Sequence, residues 1–271
     1  MALIHCQFFS ETLDLSMAMN VIVPQPASSR QMGIASPERK KHYPALYLFH
    51  GLSEDHSIWC RRTSIERYAA MYNLIIVMPE VHRSWYTDIN GGGKYWTFIS
   101  EELPAIAEQF FAVSPCREDR FVAGLSMGGY GAFKLALRRP DKFSAAASLS
   151  GVLDICDYTI QQIDQGNEEI LRIFGRSSAI VGSDNDLFNL VRKAKAGGPP
   201  LPKLFQWCGT EDFLYKSNCA FRDLITPLGF DYQYHEGPGT HDWSCFDREI
   251  QRVLKWLPLR STPRPEDACL L

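Results

Sequence analysis

The chain has 271 residues, 45% of them hydrophobic, and a formal net charge of −3. That is enough apolar material for one substantial core, and a single α/β domain of this size is ordinary. The charges are scattered, so nothing suggests a nucleic-acid partner, and no run reaches the roughly 18 apolar residues of a membrane helix.

In chain order, residues 5–12 and 15–23 alternate in polarity and predict two antiparallel strands, the second ended by Pro24 and Pro26. A polar loop follows over 28–42, where Arg39-Lys40-Lys41 reads as a solvated turn. Ala45-Leu46-Tyr47-Leu48-Phe49 is nearly continuous apolar sequence, as in a strand covered on both faces. Residues 63–71 read as a helix with a Thr63/Glu66 capping box. Residues 74–78 read as a buried strand stopped by Pro79, and 96–111 as a helix with Pro104 at a kink or in a first turn. Strands at 121–123, 145–149, 203–207 and 230–235 alternate with helices at 129–137, around 219–224 and at 242–256. In the last helix Phe246, Ile250, Val253, Leu254 and Leu257 keep helical spacing.

This order predicts an α/β fold, a mostly parallel twisted sheet with helices on both faces, in a single domain spanning 1–271. Residues 154–202 break the alternation. An amphipathic helix at 163–174, a polar stretch and Gly197-Gly198-Pro199-Pro200 predict a small helical, cap-like insertion there. Residues 261–271 read as a loose tail. The first ten residues lack the basic and apolar regions of a signal peptide, so a cytoplasmic location and eight free cysteines are expected. No cysteine pair has CxxC spacing, and neither a metal nor a cofactor is expected.

Gly124-Leu125-Ser126-Met127-Gly128 lies between a short apolar strand and an apolar helix. A serine flanked by glycines at a strand-to-helix turn is the nucleophile elbow of the α/β-hydrolases. A serine hydroxyl needs a general base, and the base needs an orienting carboxylate. In that fold the order along the chain is Ser, acid, His. Asp212 and Glu211 both lie just after the strand at 203–207, where sites in open α/β sheets gather. His241, in Gly237-Pro238-Gly239-Thr240-His241, follows the strand at 230–235 and fits the third place. His56 and His82 precede the serine, and His235 sits within a strand. Oxyanion donors are expected from the backbone N–H of Met127, after the nucleophile, and of Leu52, in the loop Phe49-His50-Gly51-Leu52-Ser53. Trp59, Trp85, Tyr86 and Met127 are candidates for the substrate pocket. Gly91-Gly92-Gly93 lacks the context of a phosphate loop and reads as a flexible loop near the site mouth.

These residues carry a resemblance. Leu48-Phe49-His50-Gly51-Leu52 with Trp59, Trp85-Tyr86-Thr87-Asp88, Glu101-Glu102-Leu103-Pro104, the stretch from Ala123 to Gly131, Ser148-Leu149-Ser150-Gly151, Gly209-Thr210-Glu211-Asp212 and Thr240-His241-Asp242-Trp243 occur in order. The chain resembles the esterase D family of α/β-hydrolases, most closely its bacterial tributyrin-esterase branch. The resemblance implies a serine carboxylesterase acting through an acyl-enzyme on short esters, acetyl to butyryl, including acetylated sugars. It implies Ser126, Asp212 and His241 as the triad and places the acid at Asp212 rather than Glu211. The family also includes S-formylglutathione hydrolases, which makes a thioesterase the alternative. The expected partner is a small-molecule ester, with no nucleic acid or membrane; a homo-oligomer is compatible with the sequence.

Overall fold

The structure, a computed structural model, describes residues 1–25, 40–198 and 200–259. The predicted tail, most of the loop at 28–42, Pro199 and Cys269 lie outside the described residues. The remaining seven cysteines are free thiols.

The strands are β1 (Ala2–Ser10), β2 (Leu15–Val23), β3 (Ala45–Phe49), β4 (Ile75–Pro79), β5 (Arg120–Leu125), β6 (Ala145–Leu149), β7 (Lys203–Gly209) and β8 (Tyr232–Gly237). They form one sheet in the order β1-β2-β4-β3-β5-β6-β7-β8. β2 is antiparallel to both its neighbours and every later pairing is parallel. The helices are α1 (Ile58–Arg62), α2 (Ile65–Ala70), α3 (Tyr95–Thr97), α4 (Leu103–Phe110), α5 (Met127–Arg138), α6 (Ile155–Asp164), α7 (Glu168–Phe174), α8 (Leu187–Ala196), α9 (Tyr215–Ile225) and α10 (Trp243–Trp256).

The period of two along each strand sorts the core into two layers. Tyr47, Val77, Val122, Ala146 and Leu204 face one cluster, filled by α4, α5, α8 and α9 residues such as Leu103, Phe133, Val191 and Phe221. Leu46, Ile76, Phe121, Ala147 and Phe205 face the other, filled by Trp59, Ile65, Phe246, Ile250 and Leu254 of α1, α2 and α10. Burial on both faces explains the apolar runs. This is the α/β-hydrolase architecture. No helix of the described residues is long and apolar enough to cross a membrane.

Several local expectations fail for identifiable reasons. β1 stops at Ser10 because the Glu102 carboxylate takes the Ser10 hydroxyl (2.6 Å) and the Glu11 N–H (2.8 Å), drawing the chain into a turn. The Thr63/Glu66 capping box does not form. Thr63 serves both helices: its Oγ1 donates to Trp59 O (2.6 Å) at the end of α1 and accepts the Ile65 N–H (3.1 Å), while α2 starts one residue later than expected, after Ser64. The helix at 96–111 contains a π-helical turn over Phe98–Glu102, after which Pro104 falls in the first turn of α4, where its missing N–H costs nothing. The helix at 163–174 is two helices. Gly166 breaks it at φ +80° and the Asn167 side chain caps α7 by accepting from Ile170 N–H. The predicted insertion therefore divides: α8 packs against α5 and α9, within the helical layer, while α6 and α7 lie against Trp85, with Tyr158 5.0 Å and Phe174 5.9 Å from its ring.

Candidate active site

Ser126 sits between β5 and α5 with φ 54° and ψ −120°, the strained turn of the elbow. The turn is held by close backbone contact. A Cβ at Gly124 would overlap the Gly128 carbonyl, and one at Gly128 would lie 2.6 Å from the carbonyl oxygens of both Phe49 and His50. The start of α5 thus presses on the end of β3, bringing Met127 beside the loop at 50–54. The positive end of the α5 dipole faces the same place.

Asp212 and His241 are brought together from the ends of β7 and β8. His241 Nδ1 lies 2.8 Å from Asp212 Oδ2. Burial pushes the Asp212 carboxyl up, but hydrogen bonds from His241 and the Leu214 N–H prevail and hold it below the ordinary aspartate value. Glu211 plays a different part: its carboxylate accepts the Gly239 N–H at 2.5 Å, fixing the loop that carries His241. Asp242 caps α10 through Ser244 N–H and Cys245 N–H, leaving the imidazole free of that task. With Nδ1 engaged by Asp212, Nε2 is the nitrogen left for the cleft that Ser126 and His241 both line. No hydrogen bond joins Ser126 Oγ to the ring in the resting structure; such bonds commonly tighten only when substrate is present.

The loop after β3 is built around its carbonyls. His50 Nδ1 donates to Gly51 O (2.7 Å) and His50 Nε2 accepts from Val81 N–H (3.2 Å), a network that assigns the Nδ1–H tautomer. Across the trans peptide, Leu52 N–H points opposite to that held carbonyl. Neither Leu52 N–H nor Met127 N–H donates to another backbone group. Glu54, which sequence reasoning missed, bridges the two sides of the site. It accepts the Gly51 N–H (2.7 Å) and the indole N–H of Trp243 (3.0 Å). The signal was its place three residues after Gly51, the distance at which a side chain turns back on a backbone N–H.

The cleft holds about 280 Å³ and is lined by Leu52, Trp85, Val152, Tyr158, Phe213 and Trp243 among others. Of the three aromatic pocket candidates, only Trp85 is there. Trp59 is 1% exposed: its indole donates to Phe49 O and its ring packs edge-on against Trp243. Tyr86 is wholly buried, stacks on Phe49 and donates its hydroxyl to His50 O (2.9 Å). Both brace the loop after β3 from behind and do not line the cleft. Met127, also without exposure, contributes no side chain to the cleft. Gly91 to Gly93 make a tight turn between Asp88 and Lys94 and do not line the cleft.

Trp85 and Tyr86 have φ of 53° each, rare for aromatic residues. Lys134, fully buried on α5, donates to Tyr86 O (2.9 Å) and Thr87 Oγ1 (2.8 Å) and so holds the turn. Burial and the Arg138 guanidinium push its ammonium well below the usual lysine range.

The comparisons with known proteins point to an esterase. The family described as "Esterase: Putative esterase" matches residues 10–199. The chain is 29% identical to an acetyl esterase of Caldicellulosiruptor saccharolyticus, over 95% of this chain and 98% of that one. Among solved structures, the Staphylococcus aureus serine hydrolase FphF superposes with a TM-score of 0.84 at 35% identity, covering 94% of this chain and 98% of its own. S-formylglutathione hydrolase (FrmB) from Staphylococcus aureus gives 0.81 at 35%, with the same coverage.

Proposed function

Since the chain belongs to the putative-esterase family, as an esterase D-like carboxylic ester hydrolase, we propose that it is a serine carboxylesterase cleaving short acyl esters, acetyl to butyryl, through an acyl-enzyme. The observation that carries this reading is the 2.8 Å His241–Asp212 bond beside a serine strained into the same cleft.

In this mechanism Ser126 Oγ attacks the ester carbonyl while His241 Nε2 takes its proton. Asp212 holds the imidazole by Nδ1 and stabilises its charged form. The carbonyl oxygen, now negative, is met by the N–H groups of Leu52 and Met127, each donor worth about 3 kcal/mol in the barrier. His241 returns the proton to the departing alcohol, and water repeats the sequence on the acyl-Ser126 ester. The small apolar cleft favours a short acyl chain, in keeping with the tributyrin-esterase resemblance and with an acetyl esterase among the relatives.

A second reading, hydrolysis of a thioester such as S-formylglutathione, is favoured by the likeness to FrmB. Purified protein assayed on p-nitrophenyl esters from acetyl to octanoyl, beside S-formylglutathione, separates the two. A steep fall beyond butyryl with weak thioester turnover supports the first, and a kcat/KM for S-formylglutathione well above every oxygen ester replaces it with the second. Ser126→Ala that retained the parent rate on p-nitrophenyl acetate would defeat both.

A further inference from the structure

We propose that Asp55, His56 and Glu80 form a binding site for a divalent transition-metal cation of the Zn2+ or Mn2+ kind, on the side of the oxyanion loop away from the cleft. None of the three lines the cleft, and the hydrolytic mechanism uses none of them. Each offers one ligand atom, and these atoms lie within 4.8 Å of one another.

The spacings around Glu80 are compatible with coordination, although His56 Nδ1 also makes a long hydrogen bond to Oε2 and Asp55 has to close in on the other two. His56 Nδ1 is 3.3 Å from Glu80 Oε2, and His82 Nδ1 is 3.3 Å from Glu80 Oε1. A charged imidazole bonded to a carboxylate closes to about 2.7–2.9 Å. Ligand atoms around one cation, with bonds of about 2.1 Å, stand about 3.0–3.4 Å apart. Glu80 is 8% exposed and is faced by three imidazoles, His50 Nε2 at 3.4 Å as well as His56 and His82, so it is a buried carboxylate in a nest of nitrogen ligands that a bound cation would further stabilise. Its oxygens are aimed by backbone donors, His82 N–H at 2.6 Å to Oε1 and His56 N–H at 3.3 Å to Oε2. Asp55 is oriented in the same way, with Oδ1 taken by the Ser57 N–H (2.8 Å) and hydroxyl (2.6 Å). Ligands held by such outer partners are what a built metal site needs. His82 adopts φ 52°, a strained conformation that turns its ring toward Glu80 and makes it a recruitable fourth ligand.

One imidazole with two carboxylates suits a dication of intermediate softness better than Ca2+ or a thiolate-seeking ion. Asp55 and His56 belong to the loop that carries Leu52, whereas Glu80 follows β4. A cation here fastens that loop to the sheet, acting on structure and not on the reacting atoms. The sequence conceals the site because its ligands come from two segments with no motif spacing.

Zinc competition against a chromophoric chelator, on chelator-treated full-length protein, tests this without any ester. The expected result is one Zn2+ per chain, with affinity at least about tenfold weaker in His56→Ala and in Asp55→Asn, and unchanged in His235→Ala. Circular dichroism confirms that the variants fold. Crystals soaked in Zn2+ should show an anomalous peak within about 2.3 Å of His56 Nδ1. Binding by His56→Ala equal to the parent's, no stoichiometric uptake, or a peak elsewhere in the molecule overturns the proposal.

Discussion

Two turns in this molecule hold non-glycine residues at positive φ beside the cleft, and they are held there by different means. At the elbow, Ser126 is strained (φ 54°) and glycines on either side clear the space for it. At Trp85–Tyr86, with φ of 53° each, two large aromatics adopt the same region with no glycine adjacent in the sequence; the glycine that makes room for the Tyr86 ring, Gly131, lies on α5. The clamp is remote: Lys134 on α5 holds the Tyr86 carbonyl and Thr87 hydroxyl, and Tyr86 reaches His50. Strain relieved by local composition can be read from a sequence. Strain imposed by partners about fifty residues away cannot.

The largest effects should come from the elbow side. Ser126→Ala should lower kcat on p-nitrophenyl acetate by about 10⁴-fold or more with no change in the melting curve, and His241→Ala should match it. Gly128→Ala tests the packing. Its Cβ would meet two carbonyl oxygens at 2.6 Å, neither on a movable side chain. The expected loss is at least about 3 kcal/mol by chemical denaturation; a stable, active variant would show that the elbow is looser than drawn.

That contrast also explains what the sequence revealed. β3 is a continuous apolar run and β6 is broken only by Ser148, and their bounds follow directly from burial on both faces. Ser126, Asp212 and His241 stand out because each follows a strand in a known order, and the structure joins His241 to Asp212 and sets His241 and Ser126 on one cleft. Trp59 and Tyr86 misled, since a large aromatic near a motif is read the same way whether it faces the ligand or braces the backbone behind it. Tyr158 and Phe213 carry no signal in the sequence, and Glu54 only its spacing from Gly51. Their place in the cleft depends on how loops after different strands meet. The Thr63/Glu66 box failed because a preceding five-residue helix, invisible in the sequence, ends at Thr63 and α2 starts after Ser64, so Thr63 Oγ1 meets the Ile65 N–H rather than that of Glu66.

The clamp side should give intermediate effects. Lys134→Met leaves two acceptors buried without a donor, each costing about 1–3 kcal/mol. Trp85 should then relax, so that kcat/KM for butyryl esters falls more than for acetyl esters; a uniform fall would confine Lys134 to stability. Glu54→Gln places an amide N–H against one of two backbone or indole donors and should reduce kcat about tenfold at nearly constant KM. The acid limb of stability should respond to Asp212. Its folded carboxyl titrates below the ordinary 3.8, so its contribution is present above that value and lost as pH falls through the lower folded value. Asp212→Asn should flatten the melting temperature against pH in that range. The smallest effect belongs to Phe213, 74% exposed with its ring 4.8 Å from His241. Phe213→Ala should alter stability by less than about 0.5 kcal/mol and move KM alone.

The order of the strands has a consequence for biosynthesis. The hydroxyl of the elbow emerges in the middle of the polypeptide, whereas the imidazole comes only after β8, the outermost ribbon on its side of the sheet. A nascent chain on the ribosome can therefore fold its nucleophilic turn well before any proton acceptor exists to arouse it. On the proposed mechanism the enzyme is chemically mute until the segment leading into α10 docks, which would spare esters in its surroundings from a half-made catalyst.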